Sequence, residues 1–187
     1  MSSPAPRGAR GGRRRVLFVG MMGAGKSTVA SLVAARLGWP VLDTDTVVEQ
    51  RAGASVAEIF ARDGEAEFRS AEAAAIAGLD EIDGPLVVSV GGGAVLSEDN
   101  RRALRAGGTV VWLRARPATL AARVGNVKSR PVLAGSGLEA EEALEKLVAE
   151  RQPYYEQVAD ISVDVDDISP AEAVELVMEA LKSALPL

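Results

Sequence analysis

The sequence predicts an α/β fold in which a five-stranded parallel sheet lies between two layers of helices. Two observations carry that expectation. Five short apolar runs alternate with longer stretches whose apolar residues recur every three or four positions, so strands and helices take turns along the chain. The runs are also apolar at successive positions, as in Val16-Leu17-Phe18-Val19 and Leu86-Val87-Val88. Strands of that kind are covered on both faces, which is the usual condition of a parallel sheet. At 187 residues the chain suits one such domain, and it contains no internal repeat.

Residues 1–15, "MSSPAPRGARGGRRR", read as a disordered Arg/Gly-rich tail, leaving a domain over 16–187. Residues 16–19 are β-branched-rich and end in glycine, hence a buried strand. Lys26–Leu37 carries Val29, Leu32, Val33 and Leu37 at helical spacing, with Gly38 to cap it and Pro40 to stop it. Residues 41–42 read as a second strand, followed by helical stretches over 47–51, 56–63 and 65–79. Ser55 with Glu58 forms a capping box before the middle one. Residues 86–90 give the third strand and 97–106 a helix, 109–113 the fourth strand, and Pro117–Val124 a helix with proline at its first position. Residues 125–137 lack apolar periodicity and read as a loop. Ala140–Val158 reads as a helix broken near Pro153, and residues 161–165 as the fifth strand. Ser169-Pro170-Ala171-Glu172 opens the last helix.

Composition narrows the chemistry. The chain has no cysteine and no histidine, which excludes disulfides, thiolate nucleophiles, imidazole bases and Cys/His metal sites. Catalysis must use carboxylates, Lys, Arg, hydroxyls, backbone amides and a hard cation such as Mg²⁺. The formal net charge is −5, although five of the 21 basic residues fall in the first 15 positions with no acid among them. An acidic body argues against nucleic acid as a partner. No signal-like segment or 18-residue apolar run occurs, so the expectation is a cytoplasmic protein with no membrane partner.

"GMMGAGKST", residues 20–28, fits G-x-x-x-x-G-K-[ST] between a strand and a helix. Amides of Gly23, Ala24, Gly25, Lys26, Ser27 and Thr28 then cradle phosphates, Lys26 reaches the β/γ-phosphates and Ser27 ligates Mg²⁺. Gly20, Gly23 and Gly25 keep side chains out of the way. In "LDTD", Asp43 and Asp45 lie two apart at a strand end, so in extended chain both leave on one side. One suits the metal and the other a substrate hydroxyl; alternatively Asp45 caps the following helix. The third strand ends Val88-Ser89-Val90-Gly91 and delivers no aspartate, so Asp43 takes the metal role through water. Gly91, Gly92 and Gly93 in succession imply either a flat ligand against bare backbone or a close strand–loop crossing.

In order and spacing, these motifs, with "EFRS" after "DG", then "SRPVL" and "RQPYY", resemble the shikimate kinase family over residues 16–181. The resemblance implies a P-loop kinase core that phosphorylates the 3-hydroxyl of shikimate from MgATP. It implies that Arg69 and Arg151 grip the substrate carboxylate, that Asp45 binds the ring hydroxyls including the acceptor, and that the glycines receive the ring, with the Gly92 amide donating to it. It further implies that Arg130, in a lid over 125–137, closes on ATP and meets the transferring phosphoryl, with Lys128 a weaker candidate. Arg123 is similar to the family arginine that stacks on adenine, and the backbone near Pro170 lines the base. Here the chain departs from the pattern: Asp166-Asp167-Ile168 stands where relatives often place a cation. Phe60 and Phe68 fit either a substrate wall or core packing. The remaining readings are a gluconate or nucleotide kinase and a catalytically silent nucleotide-binding module; a monomer is expected.

Overall fold

The computed structural model describes residues 14–124 and 131–184. Five strands, β1 (Arg15–Val19), β2 (Val41–Asp43), β3 (Leu86–Ser89), β4 (Thr109–Arg114) and β5 (Ile161–Asp164), form one sheet in the order β2-β3-β1-β4-β5. Every pairing is parallel. The interior of the sheet is apolar throughout: Val16, Phe18, Val87, Val88, Val110, Val111 and Leu113 are fully buried. Such strands bury both faces, in agreement with their unbroken apolar pattern.

Eight α-helices cover the described sheet: α1 (Lys26–Leu37), α2 (Thr44–Ala52), α3 (Val56–Ala77), α4 (Glu98–Gly107), α5 (Pro117–Val124), α6 (Pro131–Ala134), α7 (Ala140–Val158) and α8 (Pro170–Ala184). The chain leaves β1 toward β2 in one direction and β3 toward β4 in the other. Right-handed crossovers therefore place α1 and α4 on opposite faces. The carboxyl end of β1 lies at this switch in direction, where open α/β sheets bind ligands. The register aligns three strand ends at that edge, pairing Ser89 with both Asp43 and Phe18. A small second core of Val48, Ile59, Phe68 and Ala75 joins α2 to α3 beside it.

Three local features differ from the sequence reading. Arg15, assigned to the tail, is the first residue of β1, and its side chain is buried. Residues 125–137 are not all loop, because α6 starts at Pro131 and is pinned by buried Leu133; one apolar anchor is too few to show a period. Pro153 does not break α7. Arg151, Tyr155 and Val158 are all buried on that helix, and their packing outweighs the roughly 3 kcal/mol cost of an interior proline. The break expected between 56–63 and 65–79 is present: Gly64 is non-helical (φ 85°, ψ 173°), so α3 is two helical stretches meeting at a kink.

Candidate active site

One cavity of about 950 Å³ opens at the carboxyl edge of the sheet, and it holds both ends of the expected chemistry. Its floor at one end is the loop from Gly20 into α1. Gly25 precedes the helix at φ 87°, no side chain caps it, and its first turn contains no acid. The helix N-terminus is thus left with free donors and an uncompensated positive dipole, an anion site by construction. Lys26 Nζ donates to the Met21 carbonyl at 3.0 Å, which folds the ammonium back over the loop.

Ser27 Oγ donates to Asp43 Oδ2 at 2.8 Å and lies 3.2 Å from Ser89 Oγ. These oxygens are a hard donor set of the kind Mg²⁺ takes when it keeps most of its waters and binds nucleotide phosphates. Among the described residues no three acidic side chains form a metal cage, as that mode of binding requires none. Asp43 also caps α2, accepting from the Asp45 amide at 3.0 Å. The capping role falls to Asp43 rather than Asp45. The two acids do not leave an extended chain side by side, because the helix already begins at Thr44.

At the other end, each of the three glycines makes room for a different protein group. Gly91 donates its amide to Thr44 Oγ1 at 2.9 Å, and the Asp45 and Glu72 carboxylates crowd the space a Cβ would fill, Asp45 Oδ1 at 2.7 Å. At Gly92 a Cβ would stand 3.2 Å from the Gly20 carbonyl, so the phosphate loop packs directly on this backbone. The Arg69 guanidinium lies flat across Gly93, its Cζ 2.5 Å from the missing Cβ. Gly92 and Gly93 line the cavity, with Gly91 supporting them from beneath. Of the two sequence readings of the run, the close crossing is present, and two of the glycines also border the cavity.

Arg69 is held by Glu72 at 2.9 Å and Glu65 at 3.0 Å, and its guanidinium sits 5.4 Å from the Phe68 ring centre. Glu72 is 1% exposed, and its Oε1 has no hydrogen-bond partner. Burial pushes its carboxyl above the usual carboxylate range, with Arg69 opposing and Asp45 adding to the rise. Arg151, from α7, is 3% exposed, lines the same cavity and has an Nε without a partner. An arginine so placed is no solvated helix charge. Arg151 and the carboxylate-held Arg69 both border the cavity, and two guanidinium groups so placed suit an anion. The Phe60 and Phe68 rings meet at 4.8 Å in the α2–α3 core, as core packing predicts, and both border the cavity.

The far nucleotide end is walled by Arg123, Val165, Ile168, Pro170 and Ala173. Arg123 Nη2 donates to the Val165 carbonyl at 2.8 Å, which fixes its guanidinium against this wall. Asp166 and Asp167 do not stand free at the base site, since Arg116 binds both. Lys128 and Arg130, and residues 125–130 of the expected lid, lie outside the described residues.

Sequence reasoning missed Glu72, Thr44, Ser89 and Tyr155. Glu72 follows Arg69 by three on a helix, the spacing of a side-chain pair, and that was the available signal. Thr44, Ser89 and Tyr155 act through bonds to distant residues and leave no local trace.

The chain resembles known proteins over most of its length. Residues 22–182 match the family model described as shikimate kinase. The chain is 44% identical over 170 residues to the shikimate kinase of Moorella thermoacetica, covering 91% of this chain and 95% of that one. Its fold superposes on shikimate kinase from Acinetobacter baumannii, solved with shikimate, at a TM-score of 0.86 and 31% identity over 91% of this chain and 94% of that one. A gluconokinase from Sinorhizobium meliloti reaches only 0.54 at 21% identity, covering 92% and 94%, which shows a shared fold alone. By its matched length and its identity to these relatives, the chain belongs to the shikimate kinase family.

Proposed function

We propose that this chain transfers the γ-phosphoryl group of ATP to the 3-hydroxyl of shikimate. The observation that carries the reading is a single cavity containing both a phosphate-binding helix terminus and two arginines, Arg69 and Arg151, set to receive a carboxylate. The family relationship supports it over a gluconate kinase or a silent module, and the latter would not need Lys26, Asp43 and Asp45 together.

The residues divide the work as follows. Amides of residues 23–28 hold the β- and γ-phosphates, and Lys26 releases the Met21 carbonyl to follow the charge that moves during transfer. Ser27 directly and Asp43 through water would hold Mg²⁺, which would supply neutralisation of the phosphate charge. Arg69 and Arg151 fix the acceptor by its carboxylate, and the ring rests on Gly92 and Gly93. Asp45 orients the reacting hydroxyl and accepts its proton; Glu72 holds Arg69 in place and keeps a second carboxylate near Asp45. Arg130 would stabilise the transferring group and Arg123 the base, as in the family resemblance. Val165, Ile168 and Pro170 offer the base an apolar wall in place of a cation. No described helix is long and apolar enough to cross a membrane. A monomer acting in the cytoplasm completes the proposal.

ADP release from MgATP, measured with shikimate, with gluconate and with no acceptor, tests the reading. Release dependent on shikimate is expected. Equal rates in all three, or a preference for gluconate, would overturn it.

A further inference from the structure

The ring of Tyr155 stacks on Trp112 (centroids 5.6 Å apart, planes at 22°), and the residue is 1% exposed. A phenylalanine would fill that space equally well, so the hydroxyl needs its own explanation. It donates to the Gly92 carbonyl at 2.6 Å and lies 3.5 Å from Met21 Sδ, so it touches the glycine run and the phosphate loop together. Burial pushes the phenol up, with Arg151 opposing, which keeps it a donor throughout the working pH range.

The geometry of one peptide plane supplies the reason. The carbonyl of Gly92 and the amide of Gly93 belong to the same trans peptide, and in a trans peptide these groups point in opposite directions. Holding the carbonyl toward the buried face of α7 turns the Gly93 N–H away from it, toward the cavity that Gly93 lines. Neighbouring groups are already committed: the Gly91 amide to Thr44, the Gly91 carbonyl to the Ala94 amide, and the Gly93 carbonyl to the Leu96 amide. Among the described residues the Gly93 amide donates to no protein group. Arg69 lies over the same residue, and Arg151 precedes Tyr155 by four positions on α7.

We infer that Tyr155 is a positioning residue for the acceptor: through the Gly92 carbonyl it aims the Gly93 N–H at the acceptor's carboxylate, between Arg69 and Arg151. The inference rests on the function proposed above.

Tyr155→Phe keeps the ring stack and removes the single donor. It should raise KM for shikimate about tenfold while leaving KM for ATP within about twofold, as loss of one hydrogen bond to a charged group implies. The preference for shikimate over its methyl ester should fall by a similar factor. A purely structural strut would shift both KM values, or thermal stability alone, and leave the acid-to-ester ratio untouched; either result overturns the inference. Should the variant not fold, wild-type protein labelled with ¹⁵N-glycine tests the amide contact on which the inference depends. The Gly93 amide resonance should move downfield on titration with shikimate and stay in place with the ester. No selective response at Gly93 would sink the idea. Wild-type enzyme that turns over shikimate while failing these tests loses only this inference, whereas wild-type enzyme inert toward shikimate loses the proposed function with it.

Discussion

In the proposed function, one run of consecutive residues, 20–28, supplies most of the groups that would face phosphate, chiefly backbone amides at the start of α1. The proposed acceptor end draws Asp45 from α2, Arg69 and Glu72 from α3, glycines from the turn after β3, and Arg151 from α7. The first half is made of dipoles fixed by helix geometry and needs few partners. The second half is made of charges withdrawn from water, each tolerable only because another stands beside it. The difference teaches that the proposed phosphate site is built locally, from neighbours in the chain. Acceptor binding depends on the whole fold and carries a cost in stability.

Asp45 offers the sharpest way to break that division. Asp45→Asn should lower kcat by about 10²–10⁴ if the carboxylate takes the hydroxyl proton, and by less if the transition state is loose. MgATP binding measured by calorimetry should be little changed, whereas Asp43→Asn should weaken it. Equal loss of MgATP affinity in both variants would mean that the two halves are not separable.

Lys26→Ala probes the nucleotide half. Turnover should fall about 10²–10³-fold, the usual consequence of removing one charge stabiliser, with an unchanged circular dichroism spectrum. A kcat within about threefold of wild type would remove Lys26 from the chemistry.

The arginine pair should show itself in specificity. Shikimate methyl ester should have kcat/KM at least about tenfold below that of shikimate, since a hydrogen bond to a charged group contributes roughly 1.5–3 kcal/mol. In a variant carrying both Arg69→Ala and Arg151→Ala the two substrates should become nearly equal. Wild-type enzyme that treats acid and ester alike would leave the arginines without a shared role.

The smallest effect is one of stability against pH. Burial raises the folded-state pKa of Glu72 above its unfolded value. Stability linked to this group is therefore fully present below the ordinary carboxylate range and is lost as pH rises through the raised folded value. Denaturant midpoints of wild type and Glu72→Gln, compared between about pH 4 and pH 7, should show wild type losing ground to the variant as pH rises. A constant difference would mean that Arg69 compensates the burial in full.

Much of the fold was legible because its signals are local. The apolar runs gave all five strands, Lys26–Leu37, Pro117–Val124 and Ala140–Val158 emerged with their observed bounds, and Ser55 with Glu58 does form its capping box. Misreadings arose where a distant contact overrode a local preference. Pro153 stays inside α7 because Arg151, Tyr155 and Val158 around it are buried, and Leu133 makes a helical turn of a segment too short to show a period. Arg69 and Arg151 were legible only through the family resemblance. In the sequence alone each is one more charge on a helix.

What the sequence determined by itself was the parallel sheet, the phosphate loop and the absence of thiol and imidazole chemistry, since periodicity, a nine-residue motif and composition are properties of neighbours in the chain. Only the tertiary structure decided what faces the three glycines, that Asp43 rather than Asp45 caps α2, that Glu72 is buried against Arg69, and that Tyr155 reaches Gly92 across 63 positions. The reason is physical. Hydrogen-bond direction and the burial of a charge depend on what the fold brings alongside, and no local pattern of residue types encodes that.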